Sequence, residues 1–152
     1  MIKSAFHHWN QRGKNMKKRG HYGLTSTEHL ILQTLWEANE PLPRPEILNR
    51  MPDMDWNPNS IHLVLNSLIE KGYLKIDGLV RCGQSYGRTY TPTMSQMEFA
   101  ADEALKAVSN QPEEMRVVGL FAALTKKEPI SMKTLEALEE LLAQRRSEVE
   151  NK

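Results

Sequence analysis

The sequence predicts a mainly α-helical protein: three helices closed by a β-hairpin, then a run of further helices. Three observations predict it. Apolar residues recur at helical spacing, most clearly in Ile61, Val64, Leu65, Leu68 and Ile69. Two runs alternate as strands do, 73–77 and 88–91, on either side of a stretch holding Gly78, Gly83 and Gly87. Capping residues and chain breakers separate these segments from one another.

The first helix opens at Thr25-Ser26-Thr27-Glu28, a capping box in which Thr25 takes the amide of Glu28 and Glu28 reaches back. Leu30, Ile31, Thr34 and Leu35 mark its inner face, with Trp36 beside them, and Asn39 and Pro41 stop it. A short helix is expected over 43–51, with Ile47, Leu48 and Met51 as its apolar set and Pro45 in its first turn. The third helix is capped by Asn57, carries Pro58 at its first position and ends at Gly72, where a left-handed residue is needed. The alternating runs after it read as a hairpin with a long loop over 78–87, and Pro92 ends them. Three helices and then a hairpin, within about 70 residues, is the order of a winged helix-turn-helix, whose third helix enters the major groove of DNA.

The remainder reads as helical. Ser95-Gln96-Met97-Glu98 is a second capping box, followed by Met97, Ala101, Leu105 and Val108 at helical steps. Pro112 begins the next helix, whose apolar set includes Val117, Leu120, Phe121 and Leu124. Ser131 caps the last, with a seam of Leu135, Leu138, Leu141 and Leu142. These faces are wider than one small bundle can cover, so the segment is expected to dimerise. The expected interface is Met97, Ala101, Leu105, Val108, Val117, Leu120, Phe121, Leu124, Leu135, Leu138 and Leu142. Three parts follow: a basic N-terminal arm over 1–23, a winged helix over 24–93 and a helical dimerisation domain over 94–152.

Charge supports a nucleic-acid partner. The net charge of +1 conceals six bases and no acid in residues 1–23, while the rest of the chain is slightly acidic. Arg12, Lys14, Lys17, Lys18 and Arg19 of that arm are candidate phosphate contacts. On the third helix, Asn59, His62, Leu63, Asn66 and Glu70 point away from the buried stripe. An asparagine amide can bond N6 and N7 of adenine together, a leucine can meet a thymine methyl, and Asn57 and Ser60 lie at the helix start, where phosphates bind. Arg81 and Arg88 flank the hairpin loop and suit phosphate or minor-groove contact.

Other classes are disfavoured. No stretch is long and apolar enough to span a membrane, and no secretory signal is evident, so a cytoplasmic location is expected. The one cysteine, Cys82, can form no intramolecular disulfide and no thiolate metal cluster by itself. No nucleophile–base arrangement, paired-carboxylate motif or phosphate loop appears, so neither an enzyme, a metal site, a cofactor nor a small-molecule ligand is expected. The competing reading is a winged helix that binds a protein and not DNA, which the acidic body and a cation-poor third helix would allow.

A resemblance adds to this reading. Leu24-Thr25, Glu28, Leu35-Trp36, Glu46-Ile47, Asp55-Trp56-Asn57-Pro58, Leu65-Asn66, Leu68, Lys71-Gly72-Tyr73-Leu74, Gly87-Arg88 and Tyr90-Thr91-Pro92 together resemble the penicillinase-repressor (BlaI/MecI) family. The resemblance implies a homodimeric repressor of transcription that binds an inverted-repeat operator, with a membrane-bound sensor protease as a partner that relieves repression. The sequence departs from the pattern in three places. Ser67 stands where arginine is frequent, leaving Lys71 as the cation of the third helix. The 78–87 loop is long. The C-terminal region lacks the asparagine–phenylalanine pair that a family protease would cut, and the single cysteine is unlike the copper-sensing branch.

Overall fold

The computed structural model, which describes residues 23–51 and 57–151, opens on helix α1 (Ser26–Ala38). Its capping box is formed: the Thr25 amide donates to Glu28 Oε2 at 2.6 Å and the Glu28 amide donates to Thr25 Oγ1 at 3.2 Å. Asn39 closes the helix in a left-handed conformation, φ 52°. Helix α2 (Arg44–Arg50) follows a two-residue strand, β1 (Leu42–Pro43). A 3-10 turn (Pro58–Ser60) leads into α3 (Ile61–Glu70). Gly72 then adopts φ +80° and ends α3 in a Schellman motif, with Tyr73 N–H on the Leu68 carbonyl and Gly72 N–H on that of Ile69. Sequence and structure agree on the three helices, except that the expected first turn of the third, capped by Asn57 with Pro58 at its first position, is the separate 3-10 turn, and the α-helix itself starts at Ile61 without a side-chain cap.

The hairpin is built differently from its expectation. Strand β2 (Leu74–Cys82) pairs antiparallel with β3 (Ser85–Pro92) from Leu74↔Pro92 to Cys82↔Ser85. The supposed long loop over 78–87 is thus mostly strand, closed by the two-residue turn Gly83-Gln84 with Gly83 at φ +64°. Glycine in the first central place of a two-residue hairpin turn is what a II′ geometry requires. Gly78 and Gly87, loop signals in the sequence, lie inside the strands. The register shifts between Ile76 and Gly78, where Asp77 is the extra residue of a bulge. Strand β1 joins the other side of β3 through Leu42↔Tyr90 and Pro43↔Thr89, giving the order β1-β3-β2. Its prolines, Pro41 just before it and Pro43 within it, mask it as a strand, since proline is tolerated there only on an edge.

Helices α4 (Gln96–Ala107), α5 (Glu113–Lys127) and α6 (Met132–Glu150) complete the chain. The chain divides into two compact units, the first ending at Glu103 and the second starting at Ala104, so this division falls within α4, whereas the order of elements in the sequence places the boundary at 93/94, between the hairpin and the next helix.

Ile31, Leu32 and Leu35 of α1, Ile47 of α2, and Ile61, Leu65 and Leu68 of α3 fill the core of the first unit. Leu42 and Leu74 close it from the sheet, and Phe99 of α4 joins it at 7% exposure. Phe99 packs between Trp36, Tyr73 and His29, with ring centroids 5.3, 5.6 and 5.8 Å away. Trp36 Nε1 donates to the Met94 carbonyl at 2.9 Å and fixes the entry to α4.

In the second unit, α5 and α6 contain no buried residue. Ser131 accepts from the Thr134 amide at 3.1 Å and caps α6 as the sequence indicates. Arg116 binds the carbonyls of Gln111 and Ser109 and closes the turn ahead of α5. Among the described residues, no helix is long and apolar enough to cross a membrane.

Candidate nucleic-acid interface

Helix α3 buries Ile61, Leu65 and Leu68, while Asn59, His62, Leu63, Asn66 and Glu70 are exposed along its other side. Ser60 is half-buried at the start of this face, and Leu63 is 61% exposed in the middle of it. An exposed leucine among amides and an imidazole is a surface suited to base edges and a thymine methyl.

Local bonds restrict what these residues can offer. The Asn57 side chain accepts from the Asn59 amide at 3.0 Å, which fixes the 3-10 turn and leaves the Asn57 NH2 group to donate outward. His62 Nδ1 lies 2.8 Å from the Asn59 carbonyl. A carbonyl can only accept, so this contact uses Nδ1 as the donor.

The end of α3 is held by a cluster that the short-range sequence signals do not reveal. Glu28 is 2% exposed. It accepts from Ser67 Oγ at 2.7 Å, from Lys71 Nζ at 2.7 and 2.8 Å, and from the Thr25 amide. Lys71 also donates to the Gly23 carbonyl at 3.0 Å. Burial would raise the Glu28 pKa. The hydrogen bonds from Lys71, Ser67 and Thr25, with the charge of Lys71, outweigh it and hold the carboxyl below its ordinary value. Two consequences follow for the α3 face. Lys71, expected to be the cation of the helix, is engaged by Glu28. Ser67, in the place where arginine is frequent, ties α3 to α1. The capping box accounts for Glu28 locally, and nothing in sequence spacing links residue 28 to residues 67 and 71.

On the wing, Arg81 and Arg88 are exposed, and Arg81 Nε donates to the Gly83 carbonyl at 3.3 Å. Leu79↔Arg88 and Arg81↔Tyr86 are cross-strand pairs, which puts both arginines on one face of the ribbon. Arg12, Lys14, Lys17, Lys18 and Arg19 lie outside the described residues. Among the described residues, no group of three or more His, Cys, Asp or Glu side chains could hold a metal ion.

The expected dimer residues divide by exposure within one chain. Met97, Ala101, Leu105, Val117, Phe121, Leu124, Leu135 and Leu142 are exposed, while Val108, Leu120 and Leu138 are half-covered.

A family model described as penicillinase repressor matches residues 24–144. The chain belongs to the penicillinase repressor family. The match takes in the winged unit and most of the helices after it, so the sequence resemblance is upheld along its whole length. The chain is accordingly a transcriptional regulator of the repressor class, and its family is not a class of enzymes. No curated protein matches the chain. Among solved structures it is similar to a cysteine-to-serine mutant of ZitR from Lactococcus lactis, at 17% identity and a TM-score of 0.36, over 97% of this chain and 94% of that one.

Proposed function

We propose that this penicillinase repressor family member acts as a homodimer on an inverted-repeat DNA operator, each copy laying α3 in a major groove. The observation that carries the reading is the exposed face of Asn59, His62, Leu63 and Asn66 on a helix that directly precedes a wing, in a chain of this family. Asn59 and Asn66 read bases, Asn57 and Ser60 meet phosphates at the helix start, and Arg81 and Arg88 add affinity from the wing. The exposed Val117, Val118, Phe121 and Leu124 of α5 and Leu135, Leu141 and Leu142 of α6 support self-association, because large apolar side chains clustered on a helix face commonly mark a protein–protein contact. Phosphate neutralisation dominates DNA affinity, and α3 has no uncommitted Lys or Arg. The basic arm would supply what α3 lacks.

Selection of bound duplexes from a random DNA pool tests this reading. Two similar half-sites in inverted order, bound by a dimer in sedimentation, are the expected outcome. Deleting residues 1–19 should weaken binding and flatten its salt dependence, by about 0.9 in the slope of log K against log salt for each phosphate that the arm neutralises. One observation favours the alternative, a winged helix that docks on a protein: Glu28 engages Lys71 and leaves α3 without a free lysine or arginine. Recovery of no DNA even at low salt would decide for that alternative.

A further inference from the structure

The first unit holds a cavity of about 510 Å3 that has no part in DNA binding as described above. Its walls come from two stretches far apart in the chain, 35–41 and 91–98, and for that reason no local motif marks it. Trp36 and Asn39 at the end of α1 form one side, with Glu40 and Pro41 after them. The other side is the passage from β3 into α4, with Pro92 and Glu98.

The walls are fixed within the unit itself. Trp36 Nε1 donates to the Met94 carbonyl at 2.9 Å, and Phe99 packs against the indole with ring centroids 5.3 Å apart. Asn39 holds its turn at φ 52°, and the rings of Pro41 and Pro92 lock the backbone beside it. The volume falls in the range of small-molecule sites, roughly 300–1,000 Å3.

The chemistry of the lining is one-sided. Among the described residues that line the cavity, Glu40 and Glu98 carry the only charges. Glu40 Oε1 accepts from Arg50 at 3.1 Å, and Glu98 Oε2 accepts from the amide and hydroxyl of Ser95 at 2.7 and 2.8 Å. One oxygen of each carboxylate is left to a ligand. The Ser95 bonds hold the Glu98 carboxyl below its ordinary range, so it is ionised near neutral pH. An anion would meet two negative groups here. A bare metal ion would lack ligands, since among the described residues no group of three His, Cys, Asp or Glu side chains could hold one. An organic cation fits all of the lining: the carboxylates take its charge, an indole attracts a cation near its ring, and the prolines cover an apolar body.

We propose that this cavity binds a small organic amine with an aromatic or alkyl body, its ammonium drawn by Glu40 and Glu98 and its body set against Trp36, Pro41 and Pro92. Such a molecule touches the end of α1 and the entry to α4 together, so it binds the folded first unit and stabilises it. The assignment goes beyond the repressor reading and stands whether or not α3 reads DNA.

The test titrates the full chain with phenethylamine, 2-phenylethanol and phenylacetate, which are alike in size and differ in charge. Binding is read by NMR at the indole N–H of Trp36, one of three tryptophans, identified by its loss in Trp36→Phe. Phenethylamine should move that signal with a Kd on the order of 1 mM, ordinary for a ligand of about nine heavy atoms. It should bind about tenfold more tightly than the alcohol, the scale of a hydrogen bond to a charged group, and phenylacetate should bind more weakly still. Glu40→Gln and Glu98→Gln keep the shape of the lining, and each should weaken amine binding several-fold while leaving the alcohol as it was. Gln96 is an exposed residue of the lining, so Gln96→Lys brings in a cation of the chain's own and should suppress amine binding without lowering the melting temperature. Equal binding of amine and acid overturns the proposal, as does amine binding that neither glutamine variant weakens. A Trp36 signal that stays in place at amine concentrations on the order of 10 mM, well above that Kd, overturns it too.

Discussion

The two compact units spend similar apolar residues in opposite ways. In the unit ending at Glu103, leucines and isoleucines from α1, α2 and α3 are sealed against one another and against Phe99. In the unit starting at Ala104, Val117, Val118, Phe121, Leu124, Leu141 and Leu142 are all exposed in the single chain. Hydrophobic periodicity alone cannot separate these cases, because a helix stripe is written identically whether it is covered by its own chain or by another. Core density distinguishes them. The first unit seals its stripes within itself, whereas α5 and α6 leave theirs exposed in the single chain.

The largest test of this contrast concerns the border between the units. A chain ending at Thr93 removes Phe99 from the rings of Trp36, Tyr73 and His29 and deletes the Met94 carbonyl that Trp36 binds. A chain ending at Glu103 keeps both. The shorter chain should be less stable by about 3–5 kcal/mol, the cost of losing a buried aromatic side chain, as read by urea unfolding. Equal midpoints would show that the first unit does not depend on α4. The next test is on the other side of the border. Phe121→Asp with Leu124→Asp should weaken self-association by about 2–4 kcal/mol, as loss of central interface residues does. Unfolding of the winged unit should be unaffected. Sedimentation and tryptophan fluorescence read the two effects separately, and a double variant that remains dimeric would place the interface elsewhere.

A smaller effect is expected inside the first unit. Glu28→Gln retains the shape of the buried cluster and removes its negative charge, which should cost about 2–3 kcal/mol near neutral pH, the scale of hydrogen bonds to an ionised group. The pH dependence has a definite sign. The Glu28 pKa is lowered in the folded chain, so its contribution is complete above the unfolded carboxylate value and is lost as pH falls through the folded one. Wild type and variant should therefore converge in stability in acid. A difference that stays constant from neutral to acid pH would locate the effect in packing and not in charge.

How far the fold is legible in the sequence follows from the range of the signals involved. Caps and breakers act within four residues, and they locate Thr25, Gly72, Ser95 and Ser131 correctly, while Asn57 caps the 3-10 turn ahead of α3 and not α3 itself. The wing is harder to read because Gly78 and Gly87 are turn signals in sequence yet sit within paired strands, where a bulge and the sulfur of Cys82 account for them. Phe99 escapes notice because Met97, Ala101, Leu105 and Val108 make an equally regular stripe, whereas Met97 is 81% exposed and Phe99 is the residue that seats α4. The exposed face of α3 is readable, since it is the complement of a strong buried stripe. The engagement of Lys71 by Glu28 joins positions far apart in sequence, and no local pattern encodes it.

The two elements of the candidate interface should differ in kind as well as in size. Asn59 lies exposed at the start of α3, its backbone held by Asn57 and His62. Its side-chain amide points to solvent and is open to a base. If it reads adenine, Asn59→Ala should cost about 1–3 kcal/mol on the preferred duplex, much less on unrelated DNA, and relax one base position. Arg88 is on the wing, where a phosphate contact carries no base information. Arg88→Ala should then weaken preferred and unrelated duplexes by similar factors and lower the salt slope by about 0.9, which over a fourfold change in salt is only about a factor of three. Titrations of both variants on both duplexes, at two salt concentrations, resolve the difference. A loss confined to the preferred duplex in Arg88→Ala would make the wing a reader of sequence, whereas a uniform loss in Asn59→Ala would reduce α3 to a backbone clamp.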